Sequence, residues 1–405
     1  MDLLTEPKLK RPFRRRVFYV PGYDPFHPRR YRELYRRHAA AQAEISGYAV
    51  TLGPRTTPGP YGWHVSGGME GGFTETDIEV LVWSDIVRQS MDHGILATYL
   101  QLLRTVGVYV GSGALFRLMR LRKGPVLAAL YPIVMLLAQL GLALALGWHV
   151  VDIVGLIWPP LGWLAGAGAA VALLRWFRAK DAVFFAYYLM HDFGHVAQTR
   201  GAVAPDLAER MARFRAAISE AMHSDADEVL VVGHSSGAHL AVSILADLIR
   251  AGLPARRPAL GLLTLGQVVP MVSFLPRAGR LRADLHFLSA RDELTWVDVT
   301  APGDGCAFAL CDPVAVSGVA PEGKRWPLVI SAAFSQTLSP ERWRALRWRF
   351  FRLHFQYLCA FDRPGDYDYF RITAGPMTLA DRFRGRAPSN SRIDRAVSGY
   401  ITMGA

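Results

Sequence analysis

Cysteine is scarce in this chain of 405 residues, which has only Cys306, Cys311 and Cys359. Three cysteines cannot all form pairs, and no two of them have a Cys-x-x-Cys spacing, so the sequence excludes a disulfide framework. An apolar segment is missing from residues 1–16, although this stretch contains six Lys and Arg side chains. A secretory signal needs such a segment, so we expect the N-terminus to stay in the cytoplasm.

Lysine is also rare, with five residues among the 46 basic ones, so arginine supplies most of the formal net charge of +12. This excess suits an anionic membrane surface or a nucleic acid, although a G+C-rich genome also favours arginine. The basic arm at 1–15 and the arginines of 29–37 belong to no recognised nucleic-acid-binding module. We therefore predict the lipid bilayer as a partner and no nucleic acid, and the oligomeric state stays open.

Charged residues are absent from two neighbouring segments, 125–148 and 153–174, with a predicted turn at 147–152 between them. Each exceeds the roughly 20 residues that a helix needs to cross the hydrocarbon core. Basic residues lie at both outer flanks: Arg117, Arg120, Arg122, Lys123, Arg175, Arg178 and Lys180. The positive-inside rule places both flanks in the cytoplasm, which predicts a two-helix membrane hairpin. A re-entrant hairpin, favoured by Pro159-Pro160, and two buried helices of a soluble core are the alternatives.

Small residues follow one face of the second segment, where Gly162, Gly166 and Ala170 are spaced four apart. This spacing permits close contact with the first helix or with another subunit, or it reflects composition alone. Tryptophans cluster at the end of the hairpin opposite the basic flanks: Trp148, Trp158 and Trp163. Aromatic rings favour the membrane interface, so the cluster supports a spanning hairpin.

A Gly-x-Ser-x-Gly pentapeptide at 233–237 is the most informative motif. An apolar run at 229–232 precedes it and a predicted helix at 237–249 follows it. A serine becomes an effective nucleophile on such a strand-to-helix turn, where Gly233 and Gly237 remove steric clashes and leave its Oγ exposed. Ser235 is therefore the predicted nucleophile, although the pentapeptide alone also occurs by chance.

Strand-like runs alternate with helices along the rest of the chain, which predicts an α/β fold with a mostly parallel sheet. The predicted strands are 16–20, 48–52, 77–83, 229–232, 259–265, 285–288 and 295–300, and a helix is predicted at 29–46. The expected organisation is a basic arm at 1–15, a first part of the sheet domain at 16–94, membrane-associated helices at 95–180, connecting helices at 181–228 and a second part of the sheet domain at 229–405.

Two motifs, the early strand followed by Pro21-Gly22-Tyr23 and the 233–237 elbow, make the chain resemble the α/β-hydrolase superfamily, with some likeness to esterases and lipases. The resemblance covers about 16–85 and 229–370 and implies a hydrolase-like sheet with the membrane hairpin inserted before the nucleophile elbow. It also implies the chain order Ser, acid, His and an oxyanion hole formed by the N–H groups of Tyr23 and Ser236.

His354 is the only histidine that follows all the acidic candidates, so the resemblance assigns it as the base. Four aspartates lie in the permitted interval: Asp292, Asp298, Asp304 and Asp312. Asp304 is preferred because it follows a strand in a loop, with Asp298 second and Asp292 third. A core histidine at 354 and a turn aspartate at 304 are the alternative interpretations.

His191 and His195 lie at i and i+4 and resemble the first histidine box of membrane fatty-acid desaturases. Those enzymes also need paired histidines, and no His-His pair occurs in this chain, so we expect a polar helix here and neither a metal nor a cofactor.

The prediction for the whole chain is a membrane-anchored, cytoplasm-facing serine hydrolase that cleaves an ester or thioester of a lipid-like acyl substrate. An inactive hydrolase-fold membrane adaptor, an acyltransferase with the same triad and a di-iron lipid oxidase are the alternatives.

Overall fold

A computed structural model describes residues 11–404, so residues 1–10 of the predicted basic arm and residue 405 lie outside it. The strands are β1 Phe13–Val20, β2 Ala49–Gly53, β3 Gly62–Met69, β4 Gly72–Val80, β5 Glu228–His234, β6 Ala259–Leu265, β7 Thr295–Thr300 and β8 Leu328–Ser331. The helices are α1 Arg29–Ser46, α2 Ser84–Met91, α3 Ile95–Gly111, α4 Ala114–Met119, α5 Lys123–Gly155, α6 Pro159–Ala179, α7 Asp181–Phe184, α8 Ala186–Gln198, α9 Pro205–Ala221, α10 Gly237–Arg250, α11 Val269–Ser273, α12 Gly279–Ser289, α13 Pro313–Val316, α14 Phe334–Thr337, α15 Pro340–Leu346, α16 Phe350–His354, α17 Tyr369–Ala374 and α18 Leu379–Arg382. One 3₁₀ turn, Gln356–Leu358, follows α16.

The strands form one eight-stranded sheet in the order β2-β3-β4-β1-β5-β6-β7-β8. The β2–β3 and β3–β4 pairs are antiparallel, and all other neighbours are parallel, so the predicted α/β fold with a mostly parallel sheet is confirmed. β1 lies beside β5, with Val20 opposite Gly233. The segments that follow these two strands therefore emerge at the same edge of the sheet.

Both faces of the sheet are buried, as is usual for parallel strands covered by helices. Along β5, Val229 and Val231 pack into the core shared with α10 and α12. Leu230 and Val232 pack on the opposite face with aromatic residues of the C-terminal part, among them Tyr357. The central strands are thus fixed from both sides, which gives the loops at their carboxyl ends a rigid support.

One predicted strand is wrong: residues 285–288 belong to α12. Leu281, Leu285 and Leu288 are buried and are spaced four and three residues apart, as on one face of a helix. The four residues 285–288 alone are too short to distinguish this helical spacing from a strand. The predicted strand at 77–83 ends at Val80. β3 and β8 were not predicted, because β3 is rich in glycine and β8 has only four residues.

The two uncharged segments form α5 and α6, which are both long and apolar enough to cross a membrane. The predicted turn at 147–152 is helical, and the chain instead reverses at 156–158. Gly147 lies inside α5, where it packs against Gly166 of α6 and does not end the helix. The turn falls just before Pro159-Pro160, because a residue that precedes proline is disfavoured in the helical conformation.

The small residues of α6 pack against α5. A Cβ at Gly166 would lie 2.5 Å from the carbonyl oxygen of Gly147, and one at Gly162 would lie 2.8 Å from Cα of Gly155. The predicted close contact with the first helix is confirmed. Outward-facing side chains remain uncovered, since only 28% and 17% of the apolar windows of α5 and α6 are buried, whereas a soluble core helix would be mostly buried.

Candidate active site

Ser235 lies on the turn between β5 and α10 with a φ of 57°, in the left-handed region that non-glycine residues rarely adopt. Its backbone N–H donates to the carbonyl of Leu265 at 2.9 Å, which ties the turn to the end of β6. Its neighbours on both sides are buried, while Ser235 itself is half-buried and lines a cavity. The backbone geometry is therefore the sharp strand-to-helix turn that the Gly-x-Ser-x-Gly spacing predicts.

Three glycines make this turn possible by allowing close backbone contacts. A Cβ at Gly237 would lie 2.1 Å from the carbonyl oxygen of Val20, and one at Gly233 would lie 2.7 Å from Cα of Ala238. Gly22 lies on the other side of the turn, where a Cβ would be 2.9 Å from Cβ of Ser235. The two motifs found in the sequence therefore touch each other in space.

Replacing Gly237 with alanine is expected to displace the turn, because the new methyl group overlaps the Val20 carbonyl. We expect a loss of about 1–3 kcal/mol in the free energy of unfolding, the usual range for overpacking. Gly107→Ala in α3 is the matched control, since a Cβ there meets nothing within 4 Å. Thermal unfolding of both variants measures the difference, and equal melting temperatures would contradict the close contact.

His354 and Asp304 are hydrogen-bonded to each other, with 2.7 Å between His354 Nδ1 and Asp304 Oδ2. The histidine is the last residue of α16, and the aspartate lies in the loop after β7. His354 Nε2 is buried and has no partner among residues 11–404. A Cβ at Gly266 would lie 3.0 Å from His354 Cε1, and Gly266 directly follows Leu265, the acceptor for the Ser235 N–H. The imidazole is thus adjacent to the serine turn.

Asp304 is fully enclosed and accepts further hydrogen bonds from the Cys306 N–H at 2.9 Å and from Tyr357 Oη at 3.0 Å. Burial alone would raise the pKa of this carboxyl. The charge of His354 and the hydrogen bonds from His354, Cys306 and Tyr357 outweigh burial, so the pKa of Asp304 is lowered from its ordinary value. An ionised Asp304 accepts a hydrogen bond from the Nδ1–H group of His354 and so fixes the tautomer that leaves Nε2 free as an acceptor.

His234 and Tyr357 support this pair, and sequence reasoning assigned neither. Burial, followed by the charge of His354, lowers the pKa of His234 to about 3, so the neutral ring donates from Nε2 to the His354 carbonyl at 3.0 Å. Tyr357 Oη accepts from the Ala301 N–H at 3.0 Å while donating to Asp304. No spacing rule marks these residues, because their partners are distant in the chain.

Tyr23 and Ser236, whose N–H groups are predicted to form the oxyanion hole, line the same cavity as Ser235. The N–H groups of Tyr23 and Ser236 donate to no other described residue. The Pro21 carbonyl accepts from Trp83 Nε1 at 2.9 Å, and the Tyr23 carbonyl accepts from the Tyr188 hydroxyl, which together fix this loop. Ser236 immediately precedes α10, whose N-terminus favours negative charge. The arrangement can stabilise an anionic oxygen next to Ser235.

The other acidic candidates do not contact His354. Asp298 is buried within β7 and accepts from Thr264 Oγ1 at 2.5 Å, and burial raises its pKa to about 8. Asp292 is exposed before β7, at the opposite edge of the sheet. Asp312 caps α13 and pairs with Lys324. The structure therefore brings together Asp304 and His354, the preferred pair.

Asp298 makes stability depend on pH. Its folded-state pKa of about 8 exceeds the unfolded value, so the folded protein loses stability as pH rises from about 4 toward 8. Asp298→Asn removes the ionisable group and is expected to raise the melting temperature at pH 8 more than at pH 5. A pH-independent difference between variant and parent would contradict this assignment.

The two histidines that resemble a histidine box lie in α8, where their rings have different neighbours. His191 is buried with Nδ1 2.7 Å from Gln101 Oε1, and burial lowers its pKa to about 4. The ring of His195 lies 5.7 Å from that of Tyr23. Within residues 11–404, the group that could hold a metal ion is instead Asp304, Cys306 and His354, whose ligand atoms lie within 4.8 Å of one another.

Ser235 and His354 line one cavity of about 1280 Å³. This volume exceeds the roughly 300–1,000 Å³ of ordinary small-molecule pockets. Apolar residues of α3, α5 and α8 form part of its wall, and Pro125 and Ala128 from the first turns of α5 are among them. The cavity thus connects the serine turn with the base of the apolar hairpin.

The chain matches no protein-family model, no curated protein and no solved structure. A functional assignment consequently rests on the geometry of Ser235, His354 and Asp304 and on the sequence motifs that surround them.

Proposed function

We propose that this protein is a membrane-anchored serine hydrolase of the α/β-hydrolase type, which cleaves an ester or thioester of a lipid-like acyl substrate. The observation that supports this most is the His354–Asp304 hydrogen bond of 2.7 Å, which leaves Nε2 unpartnered beside the cavity that Ser235 lines. A nucleophile, a base and an orienting acid at one site are the parts that acyl transfer requires.

In the proposed reaction, Ser235 Oγ forms a bond to the acyl carbon while its proton passes to His354 Nε2. The C–O or C–S bond to the leaving group then breaks, and His354 returns the proton to that group. Water attacks the acyl-serine in the second half, with His354 again taking and returning a proton. The products are a carboxylic acid and an alcohol or thiol, and Ser235 is regenerated.

Asp304 stabilises the imidazolium that forms in both halves, and Tyr357 holds the carboxylate in place from its other side. The developing negative charge on the acyl oxygen is stabilised by the N–H groups of Tyr23 and Ser236. Both groups belong to backbone segments that are fixed by neighbours, so no reorganisation accompanies the reaction.

The membrane location is supported by α5 and α6. Arg122, directly before α5, donates to the Ala309 carbonyl of the sheet domain at 2.7 Å, and Arg178 and Lys180 lie at the end of α6. The basic ends of the hairpin are thus on the side of the catalytic site, and the positive-inside rule assigns that side to the cytoplasm. A substrate partly dissolved in the bilayer can reach the cavity near Pro125.

Covalent labelling with a fluorophosphonate probe tests the proposed function in the detergent-solubilised full chain. We expect labelling that maps to Ser235 and is lost when His354 is replaced with alanine, since the base is needed to activate the serine. Correctly folded protein that does not react would favour the inactive adaptor. Stoichiometric iron lost with His195→Ala would favour the di-iron oxidase instead.

A further inference from the structure

The cavity that contains Ser235 has two chemically different walls. One wall consists of apolar and aromatic residues from α3, α5, α8 and α11: Tyr109, Pro125, Ala128, Leu189, Phe193 and Met271. The other wall is built by α1 and by residues 342–359 and carries five arginines: Arg30, Arg36, Arg37, Arg342 and Arg352. We call the second one the basic wall. Ser235 and His354 lie between the two, so a bound molecule must satisfy both.

Three of the five arginines already have carboxylate partners. Arg30 pairs with Asp24 at 3.1 Å. Arg36 pairs with Glu33 at 2.9 Å, and Arg342 pairs with Asp362 at 3.0 Å. Arg37 and Arg352 form no ion pair with any residue that the structure describes, and both are exposed. Two positive charges of the basic wall are therefore free to bind an anion.

The pKa of His38 agrees with a positive charge on this wall. Burial and the nearby charges of Arg37 and Arg342 lower the pKa of His38, which lines the same wall, to about 4. The cavity's other two carboxylates lie on α7 and α8, which do not belong to the basic wall. Asp181 accepts hydrogen bonds from the backbone N–H groups of Tyr187 and Tyr188 at 2.9 and 2.8 Å. An anion near Arg37 thus meets no unpaired carboxylate on its own side.

We infer that the substrate is an anionic amphiphile, an acyl ester or thioester whose leaving group carries a phosphate. The acyl chain lies against the apolar wall, the reacting carbonyl is at Ser235, and the phosphate contacts Arg37 and Arg352. Arg352 is two residues from His354, and the guanidinium of Arg30 lies 4.5 Å from the ring centroid of Phe355, so the basic wall begins at the catalytic histidine. The reaction rests on the proposed function, whereas the binding site does not.

Equilibrium binding of octyl phosphate to the full chain in a non-ionic detergent tests this inference without requiring catalysis. Replacing both arginines, as Arg37→Gln with Arg352→Gln, is expected to weaken binding by roughly tenfold or more, since charge-assisted contacts to phosphate are lost. Arg37→Lys with Arg352→Lys should retain most of the affinity. Arg215→Gln on α9 is the matched control, because it removes an exposed charge outside the cavity.

Binding that is unchanged in the double glutamine variant, or equally weakened by Arg215→Gln, would overturn the inference. Turnover then separates the two sources of the phosphate. Cleavage of an anionic phospholipid in mixed vesicles, lost in the double variant, indicates a headgroup, whereas cleavage of a soluble phosphate-bearing acyl thioester indicates a free substrate.

A neutral ester distinguishes failure of this inference from failure of the proposed function. We expect p-nitrophenyl octanoate to be cleaved equally by the parent and by the Arg215→Gln control, because this ester has no phosphate and Arg215 does not line the cavity. If the neutral ester is cleaved and the double glutamine variant binds octyl phosphate as the parent does, only the proposed phosphate binding by the basic wall is rejected. No cleavage of any ester and no fluorophosphonate labelling, with octyl phosphate still bound through Arg37 and Arg352, would reject only the hydrolase.

Discussion

Replacement of Ser235 with alanine is expected to lower kcat for an acyl ester by about 10⁴- to 10⁶-fold, because no acyl-enzyme can form without the serine oxygen. The residual rate comes from the N–H groups of Tyr23 and Ser236, which still bind the acyl oxygen. Ser235 occupies a left-handed backbone conformation. Serine and alanine have a similar cost in that conformation, so the stability of the protein should change little. Initial rates with a chromogenic ester measure the effect.

The control for this substitution is Ser219→Ala on α9, which removes a hydroxyl from a helix that does not line the cavity. It should leave both turnover and fluorophosphonate labelling unchanged. If Ser235→Ala retained more than about a tenth of the activity while remaining folded, the nucleophile would have to be another group. Such a result would contradict the proposed acyl-enzyme, since the cavity walls would be unaltered.

The residues of the candidate site differ in how far the sequence could predict them. Ser235 is recognisable because its chemistry needs glycines at fixed neighbouring positions, and those glycines are in contact with Val20 and Ala238. Chain order and loop position predict His354 and Asp304, and the two side chains are hydrogen-bonded in the structure. Tyr357 and His234 could not be chosen in this way, because their roles depend on contacts across the sheet edge.

For the fold, too, the sequence predicts single helices and strands but not how distant segments are arranged. The amphipathic helix α1 and strand β6 follow from short-range patterns, and their predicted bounds agree with the structure. The position of β1 between β4 and β5 does not follow from any local pattern. That position is what brings Gly22 to the serine turn, so the contact between the two motifs was visible only in three dimensions.

Replacement of Asp304 with asparagine should reduce kcat by about 10⁴-fold while the fold remains intact. The amide can still accept from the Cys306 N–H, but it carries no charge to stabilise the imidazolium of His354. Its NH₂ group also favours the tautomer in which Nδ1 accepts and Nε2 holds the proton, and that tautomer cannot deprotonate Ser235. The measurement is the initial rate with the same ester used for Ser235→Ala.

Asp298→Asn is the matched control for this variant, because it makes the same chemical change in another buried aspartate, one that does not contact His354. It should retain turnover and gain stability at high pH, so the two variants separate catalysis from folding. Equal and mild losses in both would mean that neither carboxylate orients the base. The remaining role of Asp304 would then be to fix the loop after β7 through the Cys306 N–H, and His354 would have to act without an anionic partner.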